Sequence, residues 1–305
     1  MLLTLFVTIK GFEQSALLKA LARYFEKGRF VGIKLIIGTF ILSMFVTNDV
    51  ALVVMVPLTL LLEIEKRDWI VILEALSANA AALFPYSNPQ NLYIYWHYHI
   101  DPWTFVQTIA PFSLLFFVAI VGVAALLNPK VYKKRALKVT IKKEAWHFVA
   151  FFIVIILTIL KILPLFIAAL VLLYAIFLYP EALKIDYFLL FTFLLFFGIS
   201  DNFRSLFAQE LASPHHIFLS SVSLSQLISN VPAAIIMADL TSHWQGVLWG
   251  VNVGGYGVLW GSLANLIAFK LYIKKYQNRA FLGKFLFLNF LALFYGIALY
   301  IFMAS

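Results

Sequence analysis

The sequence contains no cysteine, which excludes disulfides, thiolate metal sites and cysteine nucleophiles. Charge is scarce as well: Asp, Glu, Lys and Arg make up 12% of the 305 residues, about half the share of a soluble domain. Residues 75–100, 102–129 and 241–269 hold no charged side chain at all. No basic region precedes the first apolar run, 1–9, so no cleavable signal peptide is recognisable, and nine helical residues reach only ~13 Å. There is no His-Glu-x-x-His, no Gly-x-Ser-x-Gly and no pair of membrane aspartates, which argues against an intramembrane enzyme. A phosphate-binding loop is absent too, and nothing resembles a channel filter or a ring of pore charges. The cluster Gly254-Gly255-Tyr256-Gly257 lacks a strand–loop–helix setting and reads as helix breaking or close packing.

What is present is apolar. Hydrophobic residues form 63% of the chain, and Phe alone occurs 31 times. A bilayer core of ~30 Å needs about 20 apolar residues of helix, and the runs here are continuous rather than alternating, which excludes a barrel. The expectation is an all-α polytopic membrane protein, multi-pass in the cell membrane, as in the inner or plasma membrane of a prokaryote. The formal charge of +9 is explained by Lys and Arg gathering in cytoplasmic loops, with no need for a nucleic-acid partner. Seven basic residues between 130 and 143 are the clearest such loop.

That loop, 129–144, divides a first repeat, 1–128, from a second, 145–305. In the first, an apolar segment is interrupted at Thr47-Asn48-Asp49, and a later one at Ser87-Asn88-Pro89-Gln90-Asn91. The second is interrupted at Ser229-Asn230-Val231-Pro232 and then at Gly261-Ser262-Leu263-Ala264-Asn265. Asn48 thus corresponds to Asn230, and Asn91 to Asn265. Two matches in the same order make an internal repeat. The arms flanking Asp49 have roughly 13 residues each, ~20 Å of helix, too short to cross. Two re-entrant hairpins, about 30–64 and about 213–241, are therefore expected, each followed by a broken transmembrane helix, about 68–98 and about 244–274. With both hairpins re-entrant, 21 of the 23 Lys and Arg fall on the side of the basic loop, leaving Lys161 and Arg204 opposite. Opposed hairpins make the repeat inverted. Only 47 residues precede Asn48, against about 85 before Asn230 in its half, so either a naturally shortened member or a start further upstream is expected.

Broken helices expose backbone groups that lipid cannot satisfy, so they survive only inside protein or against a watery cavity. Their N-terminal N–H groups suit anions and their C-terminal carbonyls suit cations, the arrangement used by secondary transporters. The polar residues at the four breaks are the candidate substrate and ion ligands: Thr47, Asn48, Asp49, Ser87, Asn88, Asn91, Ser229, Asn230, Ser262 and Asn265. Asp49 is the acid at a hairpin tip, with Val231 as its counterpart, and a role in coupling proton or sodium movement follows from the cost of an intramembrane carboxylate. Other polar positions read as structural. His97 and His99 sit among Tyr93, Tyr95, Trp96, Tyr98 and Trp103 as an aromatic belt, Asp239 as a solvated residue, and Glu74 as a snorkelling one near the cytoplasmic surface. Residues Gly11 to Gly28 read as an interfacial amphipathic helix.

The segments Phe45-Val46-Thr47-Asn48-Asp49-Val50-Ala51, Ser87-Asn88-Pro89-Gln90-Asn91, Ser229-Asn230-Val231-Pro232-Ala233 and Gly261-Ser262-Leu263-Ala264-Asn265 resemble the ion transporter superfamily. That group includes the arsenical pump membrane protein, citrate-transporter-like permeases, divalent anion:sodium symporters and NhaD-type antiporters. The resemblance implies that the hairpin tips and unwound helices bind substrate and cations, with sodium at Thr47, Asn48, Ser229 and Asn230. It further implies homodimers and an elevator-like movement of the hairpin domain. Ser87 stands where relatives often carry Gly, and Asp49 leans the match toward the arsenite-pump and antiporter branches. The expected function is a secondary active permease for a small anion or oxyanion, driven by a proton or sodium gradient, with a sodium/proton antiporter as the alternative. Its partners would be the bilayer and the substrate; no cofactor is expected beyond the coupling ion, and pumping by ATP would need a separate ATPase subunit.

Overall fold

The computed structural model describes residues 2–25, 30–127, 129, 131–133, 139–188, 190–192, 194–195, 198, 213–278 and 280–304. Arg204 and parts of the basic loop and of the amphipathic stretch lie outside the described residues. The described chain is all-α apart from a short antiparallel ribbon, in which Glu63 pairs with Lys133 and Ile64 with Val131. Two compact units are formed, one from Met1–Lys27 with Arg135–Leu194 and one from Gly28–Lys134 with Leu195–Ser305.

In the first unit, helix Leu2–Gln14 packs on Ala145–Ile159, on Ala169–Phe177 and on the turn Pro180–Leu183. Gly11 allows a close approach, since a Cβ there would overlap the Phe148 ring. The chain turns at Ser15 and Ala16, where Ala16 adopts φ 63°, and restarts as Leu17–Phe25. Leu18 and Ala22 are buried on one face of that short helix, while Lys19, Leu21 and Tyr24 are exposed. The amphipathic reading of Gly11 to Gly28 is corrected accordingly: Gly11 belongs to the preceding, largely buried helix, because the left-handed Ala16 separates the two.

In the second unit the same order of elements occurs twice. Two short helices meet at a one-residue break and pack against each other, first Val31–Val46 with Asn48–Leu61, then Pro214–Ile228 with Asn230–Leu240. The arms of these hairpins have 16, 14, 15 and 11 residues, so none reaches ~30 Å. An interrupted helix follows each hairpin, Arg67–Ala80 with Pro89–His97 and Trp244–Val253 with Leu263–Tyr276. A long helix closes each set, Pro102–Leu127 and Ala280–Ala304. Among the described residues these two helices alone are long and apolar enough to cross a bilayer unaided.

Local sequence explains where the second pieces begin. Asn88 caps Pro89–His97 by accepting from Asn91 N, with Pro89 placed where its missing N–H costs nothing. Ser262 caps Leu263–Tyr276 by accepting from Ala264 N. The second hairpin is seated by a stripe of small residues. Gly246, Gly250 and Gly254 recur every fourth residue and face Ile217, Ser221 and Ser225 of the first arm. A Cβ on Gly250 would overlap Ser221 Cβ and stand 2.7 Å from the Phe218 carbonyl oxygen. Gly250→Val should therefore lower the melting temperature of detergent-purified protein, by about 1–3 kcal/mol of stability. Gly283→Val, where nothing lies within 4 Å, should leave it unchanged.

Candidate functional site

The two hairpin tips share an unusual backbone conformation. Thr47 has φ 81° and ψ 149°, and Ser229 has φ 79° and ψ 154°, a region populated almost only by glycine. Each costs of order 1–3 kcal/mol unless its surroundings compensate. In both, the carbonyl of the strained residue starts the next helix, accepting from Ala51 N at 3.0 Å and from Ala233 N at 3.1 Å. Asn48 and Asn230 are the first residues of those helices, and both are buried. Asp49 follows in the first turn, where the helix dipole favours a negative charge, and it is half-buried. Its backbone N–H donates to Asn48 Oδ1 at 3.0 Å.

The interrupted helices are joined by amides that sequence reasoning overlooked. Asn79 is the penultimate residue of Arg67–Ala80, and Asn252 is the penultimate residue of Trp244–Val253. Asn79 Nδ2 donates to Asn265 Oδ1 at 2.8 Å, and Asn252 Nδ2 donates to Asn91 Oδ1 at 2.7 Å. Each first piece thus bonds the second piece of the other interrupted helix. The hairpins cross in the same manner: Asn48–Leu61 packs on Leu263–Tyr276, and Asn230–Leu240 packs on Pro89–His97. The available signal was position, since Asn79 and Asn252 stand alone in apolar runs 12 and 13 residues before Asn91 and Asn265.

Around Asn79 the network is dense. Its Oδ1 accepts from Asn48 Nδ2 at 3.3 Å and from Ser262 Oγ at 2.9 Å. Asn265 Nδ2 satisfies the Gly255 carbonyl at 2.9 Å, and a Cβ on Gly255 would stand 3.0 Å from Asn230 Nδ2. Ser229 Oγ reaches the Gly261 carbonyl at 3.4 Å. Gln226 bridges the second break by donating to the Gly254 and Tyr256 carbonyls and accepting from Val258 N. Around Asn252 the network is sparser. Asn91 Nδ2 satisfies the Ala82 carbonyl at 3.0 Å, and Ser87 Oγ bonds locally to the Phe84 carbonyl. Asn88 Nδ2, Asn252 Oδ1 and Thr47 Oγ1 are buried and have no hydrogen-bond partner among the described residues.

Of the ten candidate residues, the structure links Asn48, Ser262 and Asn265 through Asn79, and Asn88 and Asn91 through their cap and Asn252. Asn230 and Ser229 adjoin the second break, Ser87 lies in the first, and Thr47 and Asp49 form the first tip. Two readings are corrected. Glu74 does not snorkel: it is fully buried, and Thr59 Oγ1 donates to its Oε1 at 2.6 Å. Packed helices cover that part of Arg67–Ala80, a tertiary effect that charge spacing does not reveal. Asp239 is not freely solvated either. Tyr93 OH lies 3.5 Å and His97 Nδ1 3.7 Å from its carboxylate, beside a cleft of about 370 Å³ lined by His97, Tyr98 and 238–242.

Comparison with known proteins identifies a family. A profile of the citrate transporter family matches residues 1–249. The chain belongs to that family. An uncharacterized transporter of Methanocaldococcus jannaschii is 34% identical over 262 residues, covering 81% of this chain and 72% of its own length. The Escherichia coli inner membrane protein YbiR is 31% identical, covering 89% of this chain and 77% of its own length. This member of the citrate transporter family is therefore a membrane transporter, and the polar breaks lie inside it. If the amide pairs hold those breaks together, Asn79→Ala and Asn265→Ala should each cost about 1–3 kcal/mol, because the surviving amide is left buried and unsatisfied. The double variant should fall short of the sum by about 0.5–3 kcal/mol in thermal unfolding. Additive losses would show that the two side chains do not act as a pair.

Proposed function

We propose that this protein is a secondary active permease of the cell membrane, moving a small anion or oxyanion at the expense of a proton or sodium gradient. In this reading the hairpins are re-entrant, enter from opposite faces, and belong to an inverted repeat. The observation that carries it is the reciprocity of the amide bonds: Asn79 to Asn265 and Asn252 to Asn91. Contacts in which residue i meets j′ while i′ meets j are what a two-fold relation between halves produces. The matched strain at Thr47 and Ser229 supports the same relation.

The binding site then lies at the four breaks. Helix N-termini at Asn48, Pro89, Asn230 and Leu263 supply N–H groups for an anion. Unpartnered Asn252 Oδ1 and Thr47 Oγ1 supply oxygen to a cation, and Asn88 Nδ2 supplies a donor to an anionic substrate. Sodium would use Thr47 and Asn48 at one tip, Ser229 and Asn230 at the other. Asp49 couples the ion to the substrate, and movement of the hairpins against the long helices alternates access. A homodimer provides the fixed frame for that movement.

Sealed proteoliposomes test the activity with labelled citrate, arsenite, sulfate and succinate under imposed proton or sodium gradients. One of these anions should accumulate unaltered, and Asp49→Asn should abolish its dependence on the gradient. Sodium efflux driven by a pH gradient, with no anion moved, would favour the antiporter instead. Topology is separately testable, because the cysteine-free chain is a ready background for labelling. Single cysteines replacing Lys34 and Lys66 should react with an impermeant maleimide from the same side; labelling from opposite sides would rule out a re-entrant first hairpin.

A further inference from the structure

Glu74 is a buried acid that the proposed transport site does not use. It lies mid-way along Arg67–Ala80 with no exposure to solvent. Among the described residues, Thr59 Oγ1 donates to Oε1 and nothing donates to Oε2. Five helices pack on Arg67–Ala80: Val31–Val46, Asn48–Leu61, Pro102–Leu127, Leu263–Tyr276 and Ala280–Ala304. Their charged groups are Lys34, Asp49, Lys270, Lys274, Lys275 and Lys284, and their titratable tyrosines are Tyr272, Tyr276, Tyr295 and Tyr300; Pro102–Leu127 carries neither kind. Lys284 pairs with Asp68, while Lys275 and Tyr276 both donate to the Leu60 carbonyl. Arg67, on the helix of Glu74 itself, donates to the Leu62 carbonyl. Among the described residues Thr59 is the hydrogen-bond partner of Glu74, and the ion pairs found there, such as Lys284 with Asp68, do not include it.

We propose that Glu74 is a proton-binding site, loaded and unloaded as the first hairpin shifts against Arg67–Ala80. A carboxylate at this position would hold one hydrogen bond and no counter-charge, a costly arrangement within a bilayer. A proton on Oε2 removes the charge. Glu74 and Thr59 together offer three oxygens, fewer than a hard cation gathers, so a proton fits better than a metal ion. The bond that forms and breaks is Oε2–H, with the proton taken from water on one side and returned to water on the other. The two helices that hold this group also meet at the first tip, where Asn48 donates to Asn79. Separating them to wet Oε2 therefore disturbs the tip as well. That Glu74 holds a proton stands on this geometry; that the proton drives transport rests on the permease reading above.

Two measurements separate those statements. Infrared difference spectra between high and low pH, on protein reconstituted in lipid, should show the carbonyl stretch of a protonated carboxylic acid. Glu74→Gln should remove that band, and Thr59→Val, which deletes the donor to Oε1, should shift it to higher frequency. An unchanged band in Glu74→Gln overturns the proton site; should that variant fail to fold, an unshifted band in Thr59→Val overturns it equally. In proteoliposomes loaded with labelled citrate, Glu74→Gln should lose the acceleration of net uptake by a proton gradient, while citrate–citrate exchange falls less. Acceleration retained in Glu74→Gln overturns the coupling role. If the wild-type protein moves no citrate, the permease reading fails for that anion, and the infrared result alone decides whether Glu74 carries a proton.

Discussion

Everything in the larger unit depends on satisfying backbone groups where helices are interrupted inside an apolar medium. Lipid offers no donor or acceptor, and each group left alone costs several kcal/mol. Here the partners are side chains from the far piece of the same interrupted helix or from a hairpin arm. Carbonyls at Ala82, Gly254, Gly255 and Tyr256 accept from Asn91, Gln226 and Asn265. Tyr256, wholly buried, ties the second break outward by stacking on Phe116 at 4.8 Å and donating to the Leu76 carbonyl. Each break also has a tie to a part of the chain distant in sequence, since Asn91 accepts from Asn252 and Asn265 accepts from Asn79.

This mutual dependence explains why strain can persist at Thr47 and Ser229. A backbone held at φ near 80° reverts unless the chains on both sides are fixed. The arms are fixed by close packing, most clearly where the Gly246, Gly250 and Gly254 stripe meets Ser221 and Ser225. They are fixed again by crossing onto the opposite interrupted helix. The two centres differ in how far they are satisfied. Asn79 Oδ1 has two donors, whereas Asn252 Oδ1 has none among the described residues. On the transporter reading, the Asn252 centre has more polar atoms open to a ligand, while a ligand at the Asn79 centre would replace bonds the protein already makes.

The breaks were legible because clusters of Asn, Ser and Pro inside a long apolar run are costly in lipid unless the helix is interrupted there. The short paired helices either side of Thr47 and Ser229 were legible from the same polar interruptions. Asn79 and Asn252 were not legible, since a lone amide one residue before a helix end looks like any interior polar residue until its partner is known. Glu74 was misplaced for a related reason. Arg67 and Asp68 mark a surface turn, but Lys275 and Tyr276 reach over to Leu60 and Lys284 to Asp68, closing that end from the far part of the chain. The stretch near the N-terminus does hold a two-faced helix, Leu17–Phe25, but a shorter one than expected, because a left-handed alanine has no reliable sequence signal.

The two acids of the first hairpin region occupy contrasting settings, and the contrast bears on their roles. Asp49 lies in the first turn of a helix, where unsatisfied N–H groups and the dipole compensate a negative charge without any cation. Glu74 lies mid-helix, where every backbone N–H is already committed to the helix ladder and only Thr59 reaches it. An anion is thus tolerable at the tip and intolerable in the middle of Arg67–Ala80. If one of the two exchanges protons during a transport cycle, the chemistry favours the group whose charge has nowhere to go. The tip acid, set among the free N–H groups at its helix start, is then left to attract the cation or orient the substrate. Such a division would let proton binding and substrate binding act on opposite ends of one short arm, Asn48–Leu61, and so report to each other through its packing.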